Sequence, residues 1–441
     1  MGISNTFDVD YFRNLFPYFR SAAKTICLDG VGGTQVPDTV IEAISDYFAN
    51  KNGNKGGIFP RSVKTDELMD QTREIIAEFI NVKDPNEVIL GNSFTNLTFN
   101  MSRAMARTWK PGDEVIVSRL DHDANVSPWV AAAEDAGATV RHFDIEEGTC
   151  QLTEENLRKV LSDKTKIVAF CAASSSVGTR PDVKRLAQVA KEAGALVYVD
   201  AVAYAPHARI DAQEWGVDFI GCSTYKFFGP HLSFLWGKRE LLESLPAYKI
   251  RPAPNTLPLK WLNGAQTYEL AAGAKAAIEY IAHVGEKNPA FRSRFPQFTG
   301  RQLDIHAGMA AIEAHEEQLT WKFIDEMKKR PQYAMWGITE KELAGQRVPT
   351  IAVSRDGEQS NDMAKYLAGK GIDIWSRSVY SISLSERLGL ENTGGFIRVG
   401  FIHYNTNDEV DTLLKALDDY KPASRPTVVR GASVTAPTKE A

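Results

Sequence analysis

The sequence predicts an α/β protein with a large, mostly parallel sheet and a smaller α+β domain. Short apolar segments alternate with amphipathic helical segments through the middle of the chain. This alternation is typical of a parallel sheet covered on both faces. After about Gly285 the pattern changes to one long helical segment followed by short strands and helices. The chain has 441 residues, enough for two or three domains.

The predicted elements follow one another in order along the chain. In the first part, EVIL (87–90) precedes a helix at 95–107, and DEVIVSR (113–119) precedes a helix that begins near Ser127. KIVAFCAAS (166–174) leads to a helix at 182–194, and the strands LVYVDAVA (196–203), VDFIGCSTYK (217–226) and LSFLWGKRELL (232–242) follow. In the second part, a long helix (302–329) precedes VPTIAVS (348–354), a helix, GIDIWS (371–376), GFIRVGF (395–401) and a last helix from Asn407.

These patterns predict the domain boundaries. We expect a large domain at residues 27–285 and a small domain at residues 286–420, which residues 1–26 join. The segment 421–441 is rich in Pro, Ser and Thr, and this composition predicts disorder.

Composition excludes several classes of function. A net charge of -5 gives no basic surplus for binding nucleic acid. No apolar run approaches the roughly 20 residues that span a membrane, and the N-terminus lacks a secretory signal. The four cysteines share no CxxC spacing, so we expect a reduced cytoplasmic protein without a disulfide framework or a metal site.

Lys226 and Asp200 are the first candidate catalytic residues. Each lies at the carboxyl end of a predicted apolar strand. In mostly parallel sheets, ligands bind at the carboxyl ends of the strands. One interpretation is a buried ion pair. The other is a pyridoxal phosphate site, in which a lysine binds the aldehyde covalently and an aspartate pairs with the pyridinium nitrogen.

A phosphate site is predicted where the strand EVIL meets the next helix. Backbone N–H groups and hydroxyls at a helix N-terminus bind anions, although any one such turn can be a plain helix cap. The candidate residues are Asn92, Ser93, Phe94 and Thr95, with Ser223 and Tyr225 beside the lysine.

His122 and Arg398 are candidates for the ring and the substrate. His122 follows a strand, and its flat imidazole could stack on the pyridine ring. Arg398 lies in the middle of an apolar strand and needs an anionic partner, for which a substrate carboxylate or a structural salt bridge would serve.

Together these motifs resemble the class V aminotransferase-fold enzymes, and within them the cysteine desulfurase/selenocysteine lyase group. The similar segments are DHDAN, YVDAVAYAPH, STYKFFGPHL and FIRVGFIHYNTNDEVD, within a resemblance that covers about residues 25–420. The resemblance implies pyridoxal phosphate-dependent fold type I, with the cofactor on Lys226. It also implies a homodimer with active sites shared between subunits.

The departures from the family pattern leave the substrate and the reaction open. Desulfurases of this group carry a loop cysteine upstream of the arginine strand, whereas no cysteine follows Cys222 here. Three other departures are Ser175 for a common Asn, Ala203 for Gln or His, and Tyr225 for His. The fourth is Ala265, where the family often has a Gly-Thr pair that reaches the partner subunit's phosphate; Gln266 or Thr267 could substitute for it.

We therefore predict an enzyme that acts on an α-amino acid and breaks or remakes a bond at Cβ. The reaction would be C–S lysis or a β-decarboxylation/aldol type, without a persulfide. An aminotransferase is the alternative, and a non-catalytic pyridoxal phosphate-binding protein is a further one. Retention of Lys226, Asp200, His122 and Arg398 argues against the last.

Overall fold

A computed structural model describes residues 7–22, 24–377, 380–390 and 394–421. The strands of the described chain are β1 (Ile26–Cys27), β2 (Val88–Gly91), β3 (Glu114–Ser118), β4 (Thr139–Phe143), β5 (Thr165–Cys171), β6 (Leu196–Asp200), β7 (Phe219–Ser223), β8 (Ser233–Gly237), β9 (Tyr333–Trp336), β10 (Thr350–Arg355), β11 (Ile372–Asp373), β12 (Trp375–Ser376) and β13 (Ile397–Gly400).

The largest sheet has seven strands in the spatial order β2-β8-β7-β6-β5-β3-β4. Pairs β3–β4, β3–β5, β5–β6 and β6–β7 are parallel, and β8 runs antiparallel to both β2 and β7. The large sheet is therefore mostly parallel, as the sequence predicts.

Helices cover the sheet on both faces, and their apolar sides build the core. The buried cluster around Phe170, Val199 and Ile220 packs on one face, and the cluster around Trp129 and Tyr198 packs on the other. The helices are α1 (Val9–Arg13), α2 (Pro17–Arg20), α3 (Asp38–Asp46), α4 (Pro60–Phe79), α5 (Phe94–Ala106), α6 (Ser127–Ala136), α7 (Glu154–Arg158), α8 (Val183–Glu192), α9 (Ala212–Trp215), α10 (Arg239–Ser244), α11 (Tyr268–Lys287), α12 (Gly300–Met327), α13 (Ser360–Ala368), α14 (Ile382–Arg387) and α15 (Asn407–Asp419).

A second, antiparallel sheet has the order β12-β13-β10-β9. It packs with α12, α13 and α15 around a separate apolar cluster that includes Ile351, Val399 and Leu413. Near the N-terminus, β1 pairs in parallel with β11, and Arg13 forms an ion pair with Glu409 at 2.6 Å. The N-terminal residues thus contact the second part of the chain, while the predicted domain boundaries stay predictions.

Parallel strands bring the functional candidates to one edge. Strands β2, β3, β5, β6 and β7 run in one direction, so their carboxyl ends meet at the same edge of the sheet. Asp200 ends β6, Ser223 ends β7, and Lys226 follows three residues later.

Among the described helices, none is long and apolar enough to span a membrane. The predicted tail lies outside the described residues, apart from its first residue.

Candidate active site

Lys226 lies at the end of a short helical turn, Thr224–Lys226, that follows β7. Its Nζ donates a hydrogen bond to the backbone carbonyl of Val31, which belongs to the glycine-rich segment 29–33. Burial lowers the pKa of this amine to about 8, and the nearby charge of Arg398 contributes in the same direction. Lys226 is therefore a partly unprotonated amine near neutral pH.

Asp200 is the carboxylate that lines the same cavity. It is buried, and its Oδ1 accepts a hydrogen bond from the backbone N–H of Val202 at 2.8 Å. Burial raises the pKa of Asp200 to about 7, whereas that hydrogen bond and the charge of Lys226 oppose the rise. A cationic group brought to this carboxylate would favour its charged form.

His122 follows β3 and caps the helical turn Asp123–Asn125. Its Nδ1 accepts a hydrogen bond from the backbone N–H of Ala124 at 3.0 Å, which puts the proton of the neutral ring on Nε2. Burial, with the charges of Lys226 and Arg398, lowers the pKa of His122 to about 4. The imidazole is therefore an uncharged flat ring at the cavity wall.

The N-terminus of α5 offers free backbone donors. The hydroxyl of Ser93 accepts a hydrogen bond from the backbone N–H of Asn96 at 3.1 Å, the expected helix cap. Within the described part of the chain, the backbone N–H groups of Phe94 and Thr95 have no protein acceptor. These two donors are suited to an anion.

Two further phosphate candidates have protein partners. The hydroxyls of Ser223 and Ser233 are 2.8 Å apart, and the ring of Tyr225 stacks on His231 at 4.8 Å between centroids. Both Ser223 and Tyr225 still line the cavity.

Arg398 extends from β13 of the second sheet. Its Nη1 donates a hydrogen bond to the backbone carbonyl of Ser175 at 3.0 Å, and its Nε is buried without a partner. No acidic side chain of the described residues forms an ion pair with it. Burial lowers the pKa of this guanidinium to about 10. A buried cation without a carboxylate partner is costly, and it is suited to an anionic ligand.

The structure brings most of the predicted residues to one cavity. Its walls include Ser93, Phe94, Thr95, His122, Ser175, Asp200, Ala203, Ser223, Tyr225 and Lys226.

Four predicted residues do not line this cavity. Arg398 approaches it through the hydrogen bond to the backbone of Ser175, a wall residue. Asn92 and Gln266 line a separate small pocket with Thr267, and Ala265 is exposed. In that pocket Gln266 Oε1 and Thr267 Oγ1 are buried without hydrogen-bond partners.

The structure adds residues that the sequence did not suggest. The segment 29–33 covers Lys226, and its Asp29 carries a buried Oδ1 without a partner. Burial raises the pKa of Asp29 to about 6. Tyr380 stacks on His122 with 5.2 Å between centroids and 19° between planes. The run DGVGG was visible in the sequence, but nothing in it indicated contact with a residue almost 200 positions away.

Cys171 also lines the cavity, at the end of β5. All four cysteines are buried and free. Burial raises the pKa of Cys27 to about 12 and of Cys150 to about 11, and it raises those of Cys171 and Cys222 well above the ordinary value. None is therefore a ready thiolate.

These groups fit pyridoxal phosphate. An amine of lowered pKa, a buried carboxylate, a neutral flat ring and two free backbone donors at a helix N-terminus surround one cavity. The cofactor's aldehyde, pyridine nitrogen, ring face and phosphate require such groups.

Comparisons with known proteins agree with this geometry. The model of the family "Aminotransferase class-V" matches residues 26–290 and 301–413. An aminotransferase-like protein, FGM3, of Gibberella zeae is 31% identical over 425 residues, covering 94% of this chain and 99% of that protein. A cysteine desulfurase of Haloferax volcanii is 25% identical over 411 residues, covering 89% of this chain and 88% of that protein.

Solved structures have the same fold. The apo cysteine desulfurase of Thermococcus onnurineus NA1 superposes with a TM-score of 0.81 at 20% identity, covering 95% of this chain and 98% of that one. The Escherichia coli cysteine desulfurase CsdA gives a TM-score of 0.79 at 24% identity, covering 94% and 98%.

Proposed function

The chain belongs to the class V aminotransferase family of pyridoxal phosphate-dependent enzymes, and on this premise we propose that it is a lyase acting at Cβ of an α-amino acid. When bound, pyridoxal phosphate withdraws electrons from the Cα of an attached amino acid. The residues of this chain would then decide which bond at Cα or Cβ breaks.

Four groups would hold the cofactor. Lys226 would bind its aldehyde, since a pKa of about 8 leaves part of the amine unprotonated at neutral pH. Asp200 would pair with the pyridine nitrogen. His122, neutral at its pKa of about 4, would lie flat against the ring without adding charge. The N–H groups of Phe94 and Thr95 would bind the phosphate.

Arg398 carries the proposal that the substrate is an α-amino acid. Its cationic guanidinium, with an unpartnered Nε near the lysine, would bind the substrate carboxylate by a charge-assisted hydrogen bond. A carboxylate held in this way is disfavoured as a leaving group, so the Cα–H bond is the one exposed to reaction. Lys226, once freed from the aldehyde, would remove and return the proton at Cα.

The cysteines argue against a persulfide mechanism. A persulfide requires a thiolate that attacks the substrate's sulfur, and every cysteine of this chain is buried with a raised pKa. Cys171 is the cysteine that lines the cavity, at the end of a sheet strand. A sulfur substituent would therefore leave directly from Cβ as sulfide or a thiol and take the bonding electrons with it. A β-carboxylate would leave differently, as CO2, and its bonding electrons would stay on Cβ.

An aminotransferase is the second candidate, and the aminotransferase-like relative of Gibberella zeae favours it. In that reaction the proton removed from Cα would return to the cofactor's own carbon. The two reactions differ in stoichiometry. A lyase turns over repeatedly without a keto acid, whereas an aminotransferase stops after one equivalent until a keto acid is added.

The test is product analysis by mass spectrometry after incubation with a panel of amino acids. Each amino acid is run with and without a keto-acid acceptor. Many product equivalents per subunit without an acceptor support the lyase. One equivalent without acceptor, and many with it, contradict the lyase and favour the aminotransferase.

We also propose that the protein forms a homodimer and is located in the cytoplasm. Residues 41–63 expose several large apolar side chains, which suit burial against a second copy. They are Ile41, Phe48, Ile58, Phe59 and Val63. Sedimentation of the purified protein tests the dimer, and a single-subunit mass at micromolar concentration would contradict it.

A further inference from the structure

A second group of exposed apolar side chains lies in a short segment beside the site. Trp375 is 47% exposed, Tyr380 is 64% exposed and Ile382 is 44% exposed. Large apolar side chains that cluster on a surface usually mark a ligand or a partner. The position of these side chains relative to the site distinguishes a ligand-binding surface from a partner-binding surface.

Trp375 lies next to the carboxylate-binding arginine. It pairs directly with Arg398 across strands β12 and β13, and side chains of directly opposed residues extend from the same face of a sheet. The indole packs on Gly32, where any Cβ would overlap it. Gly32 belongs to the segment that covers Lys226, so the indole contacts that segment, on the same face of the sheet as Arg398.

Tyr380 forms a second aromatic surface at the same site. Its ring stacks on His122, and its backbone carbonyl accepts a hydrogen bond from the N–H of Asp123 at 2.6 Å. Because His122 lines the cavity, the exposed ring of Tyr380 lies against one of the wall residues.

The charges at the site disfavour a cationic side chain. Lys226 and Arg398 already place two cations there. The acids Asp29 and Asp200 are withdrawn from solvent by burial, which raises the pKa of each. Arg377 lies beside the side-chain amide of Asn361; with its oxygen turned toward the guanidinium, this amide accepts from Nε at 3.1 Å and from Nη2 at 2.8 Å.

We propose that Trp375 and Tyr380 are specificity-determining residues that select amino acids with a large apolar or aromatic group beyond Cβ. The inference rests on the proposed function, because it takes the substrate carboxylate to be bound by Arg398. The substrate's side chain then extends past the indole and the phenol ring, which bury it from water.

The test is a spectroscopic titration of the holoenzyme, in which the visible absorbance of the bound cofactor reports amino-acid binding. The probes are L-phenylalanine, L-tryptophan, L-alanine, L-aspartate and L-lysine. We expect the two aromatic amino acids to bind about tenfold more tightly than L-alanine. We expect Trp375→Ala to remove most of that preference and to leave L-alanine binding unchanged.

Trp375→Phe is the matched control, since it keeps an aromatic ring and should keep most of the preference. Tightest binding of L-aspartate or L-lysine, or an aromatic preference that survives Trp375→Ala, would overturn the inference. A change of oligomeric state in Trp375→Ala with an unchanged preference would also overturn it, because the indole would then belong to a subunit interface. If no amino acid alters the spectrum, the proposed function itself fails; if all bind equally through Arg398, only this inference fails.

Discussion

The charge of Arg398 lowers the pKa of Lys226. Arg398 lies on a strand of the small sheet, and Lys226 follows a strand of the large sheet. The lysine's pKa is about 8, with burial as the larger cause. The amine is therefore mostly protonated below about pH 8 and mostly unprotonated above it. The two sheets together thus set the reactivity of the proposed cofactor-binding amine.

The rate at which the apoprotein captures pyridoxal phosphate should follow this titration. We expect the rate to rise with pH and to level off above about pH 8, because the unprotonated amine attacks the aldehyde. In Arg398→Met the midpoint should move to higher pH, since one cation has been removed. Arg347→Met is the control. Arg347 is also a buried arginine, but its charge is not among those that shift the pKa of Lys226, so the midpoint should not move. A midpoint that is the same in all three proteins would contradict the proposed electrostatic coupling.

We expect Arg398 to lower the free energy of unfolding of the apoprotein. Its buried guanidinium has one carbonyl partner and an unpartnered Nε, so Arg398→Met should raise the free energy of unfolding by about 1 kcal/mol. Urea denaturation measures this change. Arg347 is also buried, but it donates to the carbonyls of Val348, Ile338 and Thr350. Arg347→Met should lower the free energy by about 1–3 kcal/mol. A loss of stability in Arg398→Met as large as in Arg347→Met would show that Arg398 is structural.

Asp200→Asn should separate cofactor binding from catalysis. The amide keeps the shape of the side chain but cannot hold a proton on the pyridine nitrogen, so we expect kcat to fall by about a hundredfold or more. Cofactor content, measured by absorbance, should change much less. The control is Asp218→Asn, which removes a buried acid bonded to the backbone N–H of Val197 at 2.9 Å. It should lower stability and leave kcat within a few-fold, and equal effects of both variants on kcat would count against Asp200.

Cys171→Ala should leave turnover within about twofold, because a buried thiol of raised pKa is not a nucleophile. Steady-state kinetics of the variant measure this. Iodoacetamide treatment of the native enzyme should likewise leave activity intact. Loss of all turnover in Cys171→Ala, together with a normal unfolding curve, would restore a persulfide mechanism.

The sequence predicts the large sheet and the place of the candidate residues at its edge, because both depend on local patterns. Asp200 and Lys226 follow apolar strands, and the parallel arrangement of those strands puts both residues at one edge. The predicted helix at 95–107 is observed as Phe94–Ala106. Strand β4 was not predicted, because Thr139–Phe143 is a mostly exposed edge strand without an apolar run. Without an apolar run, the sequence of this segment does not predict a strand.

The remaining features depend on contacts between distant segments. Lys226 bonds to Val31, Gly32 makes room for Trp375, and Tyr380 stacks on His122. Each pair is about 195 or more positions apart along the chain, so spacing and composition could not predict it. The pocket shared by Asn92 and Gln266 is a similar case. The sequence suggested Asn92 for the phosphate site of this chain, and the resemblance implied that Gln266 reaches the partner subunit's phosphate.

The central claim is that Lys226 carries pyridoxal phosphate, and peptide mapping after borohydride reduction of the holoenzyme tests it most directly. Reduction fixes the cofactor on the lysine that holds it, and mass spectrometry of the digested protein identifies that lysine. We predict one cofactor per chain, on the peptide that contains Lys226, and none in Lys226→Ala. Lys260→Met is the matched control, a buried lysine that also bonds to backbone carbonyls, and it should keep the adduct on Lys226. An adduct on any other lysine of the native enzyme, with Lys226 unmodified, would contradict the account.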